Sequence, residues 1–97
     1  MPNFVMLAQF TDQGVRTAKD TTKRYEAFKE LAQKSGVTIK DIYWTLGHLD
    51  IVAICEAPDD ETITAGMLSL ASGGNIRTQT LRAFSRREMD EIINKMT

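Results

Sequence analysis

The chain has 97 residues, 42% hydrophobic and 26% charged, with 12 basic against 13 acidic side chains and a net charge of −1. This is too apolar for a disordered chain, and the length suits one domain, residues 1–97, burying roughly 60–70% of its unfolded surface. The charge balance offers no bulk attraction to nucleic acid, and no apolar run approaches the roughly 20 residues of a membrane helix, so neither partner is expected.

Asn3 to Phe10 reads as a first strand, with Phe4, Met6, Ala8 and Phe10 on one face and Val5 and Leu7 on the other. Thr11-Asp12-Gln13-Gly14 ends it with turn chemistry, Gly14 being the residue expected to accept a positive φ. A helix begins near Asp20-Thr21-Thr22, any of which can cap free N–H groups. Tyr25, Phe28, Leu31 and Ala32 form its apolar side and Gly36 its stop.

Two β-rich runs follow, 37–46 and 51–56, joined by Gly47-His48-Leu49-Asp50. A short Gly-containing turn between such runs predicts a hairpin. Pro58 cannot continue a central ladder, and Asp59-Asp60-Glu61 suits the positive end of a second helix. Ile63, Met67, Leu70 and Ala71 make its stripe. Gly66 inside it costs about 1 kcal/mol relative to Ala, which points to close packing or to a weak helix. Gly73-Gly74 terminates it. Residues 75–84 then predict a fourth strand, Ser85 with Glu88 forms a capping box, and Met89, Ile92, Ile93 and Met96 give a terminal helix one apolar face.

The order β-α-β-β-α-β predicts an α+β, ferredoxin-like sandwich with an extra C-terminal helix. Its antiparallel sheet has strand order 4-1-3-2, with both main helices on one face. Two helices cover only one side of such a sheet. Strands 1 and 3 occupy its middle and are apolar on both faces, whereas a wet face normally shows polar alternation. The helix-free face is therefore expected to be covered, in part by the terminal helix and more completely by the sheet of a second copy. The expected assembly is a homodimer or larger, built as a dimeric α/β barrel.

Four stretches resemble the GYD-domain family, named for a Gly-x-Tyr-Asp turn: residues 11–14, 47–50, 56–61 and 74–84. Leu49 stands where the family Tyr is expected, so no role of that phenol carries over, while Gly47 and Asp50 match. The resemblance implies a ferredoxin-like dimeric α/β barrel and no settled biochemical activity. A looser similarity, at the level of fold and turn, is to the effector-binding domains of Lrp/AsnC-type regulators, without their DNA-binding helices.

Few residues suggest chemistry. His48 is the sole histidine and Cys55 the sole cysteine, the latter within an apolar strand pattern. They furnish no His- or Cys-rich metal site, and neither metal nor cofactor is expected. Met1-Pro2-Asn3-Phe4 carries no secretory signal pattern, and a reducing, cytoplasmic location is expected. Tyr43 and Trp44 should face opposite sides of strand 2, and Arg77 and Arg82 opposite sides of strand 4. The 4-1-3-2 topology gathers the end of strand 1, the hairpin turn and the start of strand 4 at one edge.

Asp12, His48, Asp50 and Arg77 thus form a candidate ligand-binding rim. There, Arg77 would hold a small anionic or carbonyl group and Asp50 would orient His48. The competing expectation is that Asp12 and Asp50 only cap turns and Arg77 only pairs with them. Three functions fit: a small-molecule binding or regulatory module; a cofactor-independent monooxygenase or isomerase using His48 or Asp50; or a structural oligomer subunit.

Overall fold

The expected β-α-β-β-α-β order with a C-terminal helix is present in the computed structural model, which describes residues 1–97. The elements are β1 (Asn3–Phe10), α1 (Asp12–Arg16), a 3₁₀ turn (Ala18–Asp20), α2 (Thr21–Lys34), β2 (Thr38–Trp44), β3 (Ile51–Glu56), α3 (Asp60–Ser72), β4 (Ile76–Ala83) and α4 (Arg86–Asn94). The four strands form one sheet in the order β2-β3-β1-β4 with every pairing antiparallel, the expected order read from the other edge.

Register assigns the faces. Phe4, Met6 and Ala8 lie opposite Cys55, Ala53 and Ile51 of β3, and opposite Arg82, Thr80 and Thr78 of β4. A bulge at Lys40 resets β2, so that Ile39 meets Cys55 and Ile42 meets Ala53. These apolar side chains join Ala32, Val37, Ala57, Ile63, Met67 and Ile76 in one buried core, which holds no buried polar residue. The alternate residues Val5, Leu7, Val52 and Ile54 share the other face and are only half-buried. Trp44 turns toward the helices, where its Nε1 donates to Thr21 Oγ1 (3.1 Å) and its ring meets Tyr25 edge-on at 6.0 Å. Tyr43 takes the other face and is exposed.

Three local expectations change. Thr11-Asp12-Gln13-Gly14 is the start of a short helix, Thr11 accepting from Gly14 N at 3.0 Å, and not an open turn. Gly14 has no positive φ; its requirement is steric, because a β-carbon there would collide with the carbonyl oxygen of Asn75. Gly66 marks close packing, since a β-carbon would sit 3.4 Å from the Val37 side chain. Leu31, Met89 and Ile93 lie at apolar helical positions and yet remain exposed, and Met96, expected on the same stripe, falls beyond the end of α4 and is exposed too. Helix α4 begins with the expected capping box, Ser85 and Glu88 each bonding the other's backbone N–H. Its apolar stripe, however, is left largely in solvent.

Surface area carries the same message. A folded monomer of 10.9 kDa is expected to expose roughly 5,600 Å² from the area–mass scaling. This chain exposes 6,761 Å². The excess is about 1,200 Å², in a flat molecule of 50 × 31 × 18 Å whose helix-free sheet face and α4 stripe are among the uncovered surfaces.

Candidate functional site

The rim at the end of β1 is held by backbone chemistry. Gly47, at φ +97°, allows the hairpin to reverse. Thr45 N donates to Asp50 O (2.9 Å) and Thr45 Oγ1 to Leu49 O (2.6 Å), which closes the loop on itself. Asp50 then ties the hairpin to the neighbouring strand: its N–H donates to Ala8 O (2.9 Å), and its Oδ2 accepts from Phe10 N (2.8 Å). The carboxylate of Asp50 is therefore bound to backbone and not to His48.

His48 is anchored by a residue that the sequence did not single out. Gln9 Nε2 donates to His48 O (2.8 Å) and stands 3.5 Å from His48 Nδ1. Arg77 lies directly across from Gln9 in the β1–β4 register, on the helix-free face. The available signal was alternation: Val5, Leu7 and Gln9 follow one another on that face, and the last is polar. Arg77 is exposed and lies within 4 Å of no carboxylate; the ion pairs present are Lys40–Glu56 (3.0 Å) and Arg82–Glu88 (3.4 Å). Asp12 opens α1, exposed and free of side-chain hydrogen bonds. The edge thus brings His48, Asp50 and Arg77 around Gln9, while Asp12 projects from α1 without touching them.

Arg82 shows the contrast. On the helix side of β4 its guanidinium lies 5.7 Å from the Phe4 ring centre and 4.6 Å from that of Phe84, paired with Glu88. Its charge is compensated, and that of Arg77 is not.

The ionisable groups whose equilibria shift lie elsewhere. Burial pushes the Cys55 thiol up from 9.0 to about 11, so it is a neutral core group and not a nucleophile at ordinary pH. Hydrogen bonds from Thr62 hold Asp59, the α3 N-cap, below the usual carboxylate range, and the Ser85 N–H does the same for Glu88. No three His, Cys, Asp or Glu side chains come together as a metal site. At the rim, no acid orients a base. The arrangement suits recognition by an uncompensated cation and exposed polar groups better than proton transfer.

The model of the GYD domain matches residues 4–93. The chain belongs to the GYD-domain family. This GYD domain is also 39% identical over 84 residues to a Thermus thermophilus protein named "Glutamine synthetase and cystathionine beta-lyase binding protein", a match covering 86% of this chain and 88% of the relative. No helix of the domain is long and apolar enough to cross a membrane.

Proposed function

We propose that this GYD domain is a homodimeric binding module that regulates an enzyme by docking onto it. The observation that carries this reading is the uncovered helix-free face. The excess of about 1,200 Å² is more than the roughly 800 Å² each partner contributes to a standard interface. Val5, Leu7, Val52 and Ile54 lie at the centre of that face, with Leu81 and Tyr43 on its outer strands. A second copy presenting the same face is self-complementary, as two-fold dimers require, and gives the dimeric α/β barrel. The exposed stripe of α4 supplies further apolar area at the same assembly.

In this reading the rim is the recognition edge. Arg77 and His48 meet an anionic or carbonyl group, on a small molecule or on the partner's surface, and Asp50 keeps the hairpin in position. The name of the Thermus relative supports an enzyme as partner, glutamine synthetase and cystathionine β-lyase being the two to try first. The test is sedimentation velocity of the purified domain mixed with each of these enzymes from its own organism. The domain should co-sediment with at least one at micromolar concentration, and Arg77→Ala should weaken the complex about tenfold while leaving the free domain's mass unchanged. Free sedimentation with both enzymes at tens of micromolar would refute these partners. An Arg77→Ala complex of undiminished affinity would remove the rim from the account.

A further inference from the structure

Helices α2 and α3 lie on one face of the sheet but do not close over it. A cleft of about 720 Å³ runs between them and reaches the core, with Met6, Ala53 and Cys55 in its floor. That volume falls within the roughly 300–1,000 Å³ of pockets that hold small molecules. Its shape follows from side-chain length. Helix α2 contributes Phe28 and the exposed lip Leu31; α3 lines the cleft with the short Ala65, Gly66 and Ser69, and its Leu70 packs down against the core.

The two ends of the cleft differ in charge. Arg24, from the first turns of α2, lines the end beside Trp44 and Asn75. Its Nη1 donates to Thr17 O (2.8 Å) and Thr17 Oγ1 (2.9 Å), and its Nη2 to Gly14 O (3.4 Å). These neutral acceptors fix the guanidinium in place, and no carboxylate within 4 Å compensates it. Glu61, from the first turn of the antiparallel α3, lines the opposite end. A carboxylate is attracted to one end of an apolar slot and repelled from the other.

We infer that this cleft is a binding site for a small amphipathic acid, its apolar body over Met6, Ala53 and Cys55 and its carboxylate at Arg24. The site lies on the opposite face of the sheet from the dimer surface and does not depend on it. Trp44, the sole tryptophan, reports on the Arg24 end.

Dodecanoate and dodecanol serve as probes, titrated below their aggregation limits while Trp44 emission is recorded. Dodecanoate should give a saturable change at micromolar concentration and bind at least tenfold tighter than the alcohol. Ser69→Phe, at an exposed position, should fill the slot and weaken both probes at least tenfold. Arg24→Gln should weaken the acid about tenfold and leave the alcohol unchanged. The inference is overturned by the absence of saturable binding, by equal affinity for acid and alcohol in the unaltered domain, or by an unaltered titration of Ser69→Phe. The acid–alcohol comparison needs no variant, so it decides the matter even if Arg24→Gln does not fold. The mass of the domain in sedimentation, which reads the dimer, is independent of each outcome.

Discussion

The middles of β1 and β3, residues 4–8 and 51–55, are apolar on both faces of the sheet, and the two faces are differently buried in the chain. Along β1, Phe4, Met6 and Ala8 are 3%, 3% and 0% exposed, while Val5 and Leu7 between them are only half-buried. The same alternation runs through β3, with Ile51, Ala53 and Cys55 buried and Val52 and Ile54 half-buried. Adjacent residues of one strand therefore report on two environments. One is made by the chain's own helices, and the other is left only half-buried by the rest of the chain. Apolar character tells that a surface is to be buried; it does not tell by what.

Substitutions on each face should separate the two. Met6→Ala removes buried volume from the core and should lower the unfolding free energy by about 2–5 kcal/mol at any protein concentration. Denaturant melts measure it, and a loss below about 1 kcal/mol would mean that this face is not the core. Leu7→Ala, one residue away, should cost about 1–2 kcal/mol in concentrated protein, and the cost should shrink on dilution as dimer gives way to monomer. A concentration-independent cost would place Leu7 in a purely intramolecular environment. A third prediction concerns Cys55.

Because its thiol is raised from 9.0 to about 11 in the folded state, the unfolded chain loses that proton first as the pH rises. Stability from this group is complete below about pH 9 and falls as the pH climbs to about 11, where the folded thiol also ionises. Urea melts of the native domain and of Cys55→Ala should show that decline between about pH 9 and about 11 only in the former. Equal alkaline slopes would assign the decline to other groups.

Much of this was legible in sequence. Period-2 alternation and the Gly47 turn located β1, β2 and β3, and Pro58 with its acidic run located the start of α3. The capping box of α4 was visible as Ser85 and Glu88. Long-range contacts were not. Gly14 looks like a turn residue because a glycine's need for positive φ is local, whereas its proximity to Asn75 O is set by two segments about 60 residues apart in the chain. Leu31 has core spacing, but it ends on the lip of the open cleft between α2 and α3 and stays exposed. At the rim, topology gathered Asp50, His48 and Arg77, while the Phe10 N–H that takes the Asp50 carboxylate, and the Gln9 amide that holds His48, are tertiary details without a local pattern. The exposed stripe of α4 belongs to the same class: its amphipathicity is evident, and that the rest of the chain leaves it uncovered is not written in its own residues.

The central claim is that the helix-free face is an interface between copies, and mass in solution tests it most directly. Sedimentation equilibrium at micromolar concentration should return twice the 10.9 kDa of one chain or a higher multiple, and Ile54→Lys, at the middle of that face, should return one chain. An unaltered domain that sediments as a single chain and still unfolds cooperatively would contradict it.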